Sequence, residues 1–111
     1  EDRIYLPLIT PVTVSLPEGG TRLRIGIGVA IRKTGGYALL SRLKDRPEAV
    51  QAGLAEAVLR TAEGLGPEAD PEALRAALPE ALRHAMNDRL ESIGEARAVL
   101  EVLITGWARA E

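Results

Sequence analysis

The most regular stretch of this chain runs from Leu23 to Arg32. Leu23, Ile25, Ile27, Val29 and Ile31 occupy the odd positions, and Arg24, Gly26, Gly28, Ala30 and Arg32 the even ones. Strand side chains alternate between faces, so the pattern predicts a strand with one greasy face and one face of small residues bracketed by arginines. Residues 4–16 predict an earlier extended segment, with Leu6, Leu8, Val12, Val14 and Leu16 on one parity. Pro7 and Pro11 supply no ladder donors, which assigns the early part to an edge or a lead-in and the well-paired part to Val12–Leu16. Pro17-Glu18-Gly19-Gly20 reads as the turn that joins the two strands into a hairpin.

After Lys33-Thr34-Gly35-Gly36 the period becomes helical. Leu39, Leu40 and Leu43 begin an apolar stripe that Val50, Leu54 and Val58 continue in steps of four. Pro47 interrupts it, so the expectation is a short helix to about Lys44 and a longer one from Asp45 or Arg46 to about Ala62. Asp45 would be its cap and Gly53 would lie inside it, close against the sheet. Gly64-Leu65-Gly66-Pro67 stops that helix, and Asp70-Pro71 starts the next with Asp as cap and Pro in the first turn. Leu74, Leu78, Leu82, Met86 and Leu90 give it one apolar stripe. Pro79 either kinks this helix or splits off Pro71–Ala77 as a separate turn.

Residues 97–105 predict the last strand, with Leu100, Val102 and Ile104 on one face and Val99, Leu103 and Thr105 on the other. Gly106 to Arg109 is a tail. The order β-β-α-α-β implies an α+β fold: a small, mainly antiparallel, three-stranded sheet with two long helices on one face.

Length makes residues 1–111 a single domain. With no phenylalanine and 3% aromatics, the core must be built of Leu, Ile, Val and Ala. The absence of cysteine removes disulfides and thiolate metal sites. A net charge of −2 argues against an electrostatic nucleic-acid binder. No run approaches a membrane span. The chain begins at Glu1 rather than methionine, which predicts an excised or processed piece with a segment upstream.

Residues with chemistry are few. His84, the only histidine, falls opposite the apolar stripe and reads as a solvated helix residue. Asp88 and Glu91 share a helical face, a spacing common on plain surface helices. Ser15, Ser41 and Ser92 sit in no nucleophile elbow. Gly26-Ile27-Gly28 lies within a strand and lacks the third glycine and helix start of a dinucleotide fingerprint. Gly64-Leu65-Gly66 is flanked by Glu63, Glu68 and Asp70, which repel phosphate. No catalytic, cofactor-binding or metal-ligating set emerges, and no small-molecule substrate is indicated. What remains is the even face of the second strand. It reads either as a solvent face or as a contact surface, with Gly26, Gly28 and Ala30 as a flat floor and Arg24 and Arg32 as charged anchors. Trp107 is the other interface candidate, either tucked over the sheet or anchoring a partner.

The segment Tyr5-Leu6-Pro7-Leu8-Ile9-Thr10-Pro11-Val12-Thr13-Val14-Ser15-Leu16 resembles the opening of the periplasmic domain of the flagellar basal-body FliL family. There a tyrosine and leucine lead into a Pro-Phe-Thr-Val-Asn-Leu type strand. Val12 stands in place of the usual phenylalanine and Ser15 in place of asparagine. Leu23 to Arg32 resembles the family's next strand, Leu43 to Leu59 its first long helix, and Asp70 to Leu90 its second, with Pro79 as a departure. Val99 to Trp107 takes the place of the closing strand without the Thr-Glu-Phe ending. The resemblance implies a stomatin-like domain in the periplasm, anchored in the inner membrane by a span upstream of Glu1. It also implies a non-enzymatic accessory of the flagellar motor that self-associates into rings, associates with stator units and supports torque and motility. The alternative is a homo-oligomerising scaffold domain of a stomatin-like membrane protein with no flagellar role.

Overall fold

A computed structural model describes residues 2–7, 11–16, 22–46, 53–66 and 70–109, without the side chains of Leu43 and Lys44. The fold is α+β, an open antiparallel sheet with helices on one face, as the periodicities imply. Its described strands are β1 (Arg3–Pro7), β2 (Val12–Ser15), β3 (Arg22–Arg32) and β4 (Val99–Arg109). Its described helices are α1 (Gly36–Lys44), α2 (Leu54–Leu65) and α3 (Pro71–Ser92).

The sheet is organised around β3. Along one edge β3 pairs first with β2, from Ser15 opposite Arg22 to Val12 opposite Ile25, and then with β1, from Pro7 opposite Gly28 to Arg3 opposite Arg32. Along its other edge it pairs with β4 over its whole length. The sheet therefore has four strands rather than the expected three. The opening segment is two strands that share one edge of β3, and Pro7, which has no ladder donor, ends the first of them. The turn expected at residues 17–20 lies outside the described residues.

The odd face of β3 is the floor of the core. Leu23, Ile25, Ile27, Val29 and Ile31 are all buried, together with Val12 and Val14 of β2 and Val99 and Val102 of β4. Leu54, Ala57 and Val58 of α2 and the α3 stripe cover them. Here α3 packs along β4 and α2, and α2 reaches β2.

Pro79 does not divide α3, which runs unbroken from Pro71 to Ser92. Proline inside a helix costs about 3 kcal/mol, because the carbonyl four residues back loses its donor. Against that, Leu74, Leu78, Leu82, Met86 and Leu90 are each at most 4% exposed, and full burial of such a side chain contributes roughly 1.5–3 kcal/mol. The stripe outweighs the break. Asp70 caps the helix as expected, its Oδ1 accepting from the Ala73 N–H at 2.8 Å.

Two expectations about the helix before it change. Leu54 is the first residue of α2, and Gly53 is its N-cap rather than an interior residue. A Cβ built on Gly53 meets nothing within 4 Å, so close packing against the sheet is not its role. Asp45, the expected cap, stands in the turn after α1. Residues 47–52, which carry Pro47 and Val50, lie outside the described residues. The expected stop holds, with α2 ending at Leu65 before Gly66 at φ 88°; α3 likewise ends at Ser92, two residues before Gly94 at φ 85°.

The last strand departs most. It extends to Arg109, so Gly106 to Arg109 is strand rather than tail. Its register slips by one residue between Gly26 and Ile27 of β3 and again between Ala30 and Ile31. Each slip is a bulge that leaves one β4 residue, Thr105 or Leu100, without an opposite number. A bulge reverses side-chain parity. Val99, Val102, Ile104 and Trp107 thus oppose the core residues Ile31, Val29, Ile27 and Ile25, whereas Glu101, Leu103, Gly106 and Ala108 oppose the even face.

Candidate functional site

Five of the six candidate contact residues, Arg24, Gly26, Gly28, Ala30 and Arg32, lie together on the face of β3 turned away from the helices. The sixth does not join them. Trp107 opposes Ile25, is half-buried and packs against the core, with the Arg75 guanidinium over its ring at 6.0 Å from the centroid. Of its two readings, the tucked one matches this position. A cation–π contact at such a site is worth about 0.5–1 kcal/mol and ties β4 to the first turns of α3.

The outward face is less bare than its composition suggests. Thr105, displaced by the bulge, lies over both glycines. A Cβ on Gly26 would stand 3.0 Å from Thr105 Oγ1 and 3.1 Å from the Gly106 nitrogen, and one on Gly28 would stand 3.3 Å from Thr105 Cγ2. Farther along, Arg3 of β1 reaches across β3 to Glu101 of β4, Nη1 to Oε1 at 3.5 Å. These partners oppose Arg32 and Ala30, and Ala30 is 0% exposed. Small residues on the central strand let side chains from the two flanking columns close over it. Close approach explains the glycines, and the approaching residue belongs to the same chain.

The arginines of this face are exposed. Arg22, Arg24 and Arg32 stand on it with Arg3, and Glu101 is the one carboxylate that opposes it among the described residues. Tyr5, opposite Ala30, is 58% exposed. This gives an elongated, cationic surface with one exposed aromatic ring, suited to binding through charge-assisted hydrogen bonds.

In the helix layer several charges are paired. His84 is exposed and stands 3.2 Å from Glu80 Oε1, beside the Arg83–Glu80 pair. The Arg83 hydrogen bond, with help from the charges of Arg83 and His84, lowers the Glu80 carboxyl below its ordinary range. Asp88 and Glu91 face Arg97, whose Nη1 lies 2.7 Å from Asp88 and 3.8 Å from Glu91. Among the described residues no group of three or more His, Asp or Glu is placed to hold a metal ion.

Arg42 of α1 donates from Nε and Nη2 to both oxygens of Glu95 at 2.5 and 2.6 Å, joining α1 to the segment that leads into β4. That hydrogen bond is the main reason the Glu95 carboxyl sits below the ordinary glutamate range, the Arg42 charge adding to it and partial burial opposing it. A carboxyl lowered on folding stabilises the fold above its unfolded pKa, and that stability is lost as pH falls through the folded value. Glu95 should accordingly titrate below the ordinary glutamate range in a carbon-detected NMR titration. Arg42→Ala should move its midpoint up to the ordinary range. An unchanged midpoint would show that the pair does not persist in solution.

Asn87 is the polar residue that periodicity missed. It is 2% exposed, and its Nδ2 donates to the Val99 carbonyl at 3.0 Å while its Oδ1 accepts the Val99 N–H at 2.9 Å. The amide of α3 thus occupies the outer edge of β4 at its first residue, as a neighbouring strand would. The available signal was an amide one residue off a period-four apolar stripe.

No helix among the described residues is long and apolar enough to cross a membrane. Comparison of the chain with models of known protein families and with curated proteins finds no match.

Proposed function

We propose that this chain is a non-enzymatic protein-contact domain, and specifically a periplasmic accessory of the flagellar motor that associates with stator units and with copies of itself. The observation that carries the contact part is the one-sided sheet. The described helices cover only the odd face of β3, and the even face presents Arg24 and Arg32 outward. The support for the flagellar part is the resemblance of Tyr5–Leu16, Leu23–Arg32, Leu43–Leu59 and Asp70–Leu90 to the FliL family, which includes the order of strand, strand, helix, helix and strand. On this reading an apolar span of about 20 residues precedes Glu1 and holds the domain at the inner membrane.

The test is deletion in a flagellated host. Swimming speed and swarming should fall while growth is unchanged. Normal motility would overturn the motor assignment. Ring-sized assemblies of the membrane-anchored protein together with normal motility would point instead to a stomatin-like scaffold without a flagellar role.

A further inference from the structure

The cationic side of the sheet and the helix layer, where several arginines are paired, belong to one chain of net charge −2. In the helix layer Arg42, Arg83 and Arg97 each bond a carboxylate. On the sheet no carboxylate among the described residues bonds Arg22, Arg24 or Arg32, although the chain carries 16 acidic residues. Three exposed arginines that bond no carboxylate, on a face where Glu101 is the one opposing carboxylate among the described residues, make a surface complementary to an anionic partner rather than a generic solvent face.

From this asymmetry we infer that the outward face of β3 docks an acidic, extended segment of another protein, laid along the strand with its carboxylates on the arginine forks. This rests on the reading of the domain as a contact module and adds the chemistry of what it contacts. Arg22 and Arg24 form one anchor. Arg32, eight residues beyond Arg24 and so about 27 Å away, forms the other. Between them Gly26, Gly28 and Ala30 lie beneath side chains of the flanking strands, so a segment spanning the anchors meets Thr105, the Arg3–Glu101 pair and the ring of Tyr5. A nucleic acid would make too few phosphate contacts here to offset the net negative charge of the chain.

The probe is a fluorescein-labelled dodecapeptide of alternating glutamate and threonine, about 40 Å long when extended, and the readout is anisotropy. A glutamine–threonine peptide is the uncharged control. The wild-type domain should bind the acidic peptide at about 50 mM salt and release it at about 500 mM, as expected for exposed charge pairs. Arg24→Glu with Arg32→Glu should weaken binding at least tenfold with an unchanged Tm. Arg60→Glu with Arg83→Glu alters net charge equally on the helix layer and should leave binding within about twofold.

Equal weakening by both double variants, equal binding of the uncharged peptide, or no binding at low salt would overturn the proposal. So would preferential capture by vesicles of three parts phosphatidylglycerol to seven of phosphatidylcholine, or a dimer of the free domain that the sheet variant abolishes. The deletion assay is read separately. Peptide binding with normal motility sinks the motor assignment and leaves the docking face standing, and impaired motility without peptide binding does the reverse.

Discussion

Replacing Asn87 with leucine is expected to be among the most damaging single substitutions in this domain. The side chain is fully enclosed, and both of its polar atoms are spent on Val99. Leucine has the same branched skeleton but larger ends, so no cavity is left and its methyls crowd the Val99 backbone where the amide sits at 2.9–3.0 Å. The cost arises from the Val99 N–H and C=O, which point outward from the sheet and have no other partner in hydrogen-bond reach. An unsatisfied buried polar group costs roughly 1–3 kcal/mol. Two of them put the loss on the order of 3 kcal/mol, against a total of roughly 5–15 kcal/mol for a domain of this kind. Urea denaturation and a thermal melt should show it as a drop in Tm of more than about 10 °C. A loss under about 1 kcal/mol would show that water takes over the amide's two bonds.

Asn87→Asp sharpens the same test. The carboxylate keeps the acceptor for the Val99 N–H but sets a second oxygen against the Val99 carbonyl. Burial and that carbonyl both raise the folded pKa above the unfolded value of about 3.9. The native state then binds more protons than the unfolded state between the two values, so stability falls as pH rises through that window. The aspartate variant should be closest to wild type near pH 4 and weakest at neutral pH. The leucine variant should be equally weak throughout.

Asn87 also marks where the sequence ceased to be informative. The odd face of β3 and the Leu74–Leu90 stripe were legible because one residue type recurs at one period, and burial follows from that alone. A buried asparagine is defined by a backbone group 12 residues away, and nothing local distinguishes it from a solvated one. The bulges of β4 were hidden for a different reason. An inserted residue exchanges the two faces, and Val99, Leu100, Val102, Leu103 and Ile104 are apolar on either assignment. Hydrophobic pattern had nothing to choose with, and Trp107 was consequently left with two readings, tucked over the sheet or anchoring a partner. The candidate contact face was half legible. Its residues were identified correctly as one surface, but the occupant of its small-residue floor, Thr105, depended on the unseen bulge.

Substitutions at Gly26 and Gly28 separate that internal occupant from any external one. At Gly26 an added Cβ meets Thr105 Oγ1 at 3.0 Å and the Gly106 backbone at 3.1 and 3.3 Å. The threonine hydroxyl is exposed and can rotate away, but the Gly106 backbone can retreat only if the β3–β4 ladder opens. Overpacking of this kind costs about 1–3 kcal/mol, occasionally more. Gly26→Ala is therefore expected to lose an amount in that range, and Gly26→Val more, as its two methyls cannot both avoid Gly106. At Gly28 the nearest atom is the Thr105 methyl at 3.3 Å, followed by the Leu6 carbonyl at 3.4 Å. The residual crowding there is offset by the smaller entropy of the unfolded chain, about 0.4–1 kcal/mol, so Gly28→Ala should be close to neutral. Thr105→Ala should rescue Gly28→Val and leave Gly26→Val unrescued, because the Gly26 clash is also with the Gly106 backbone at 3.1 Å, which that substitution leaves in place. A double-mutant cycle on urea midpoints reads this directly. The opposite result, a Gly26→Val domain that keeps its stability but loses assembly in the membrane-anchored protein, would mean that the ladder accommodates the side chain. The glycines would then be reserved for a neighbouring molecule. With the ladder closed as it is, assembly should depend on Arg24 and Arg32, which have room to be replaced, and the glycines should be read out in stability.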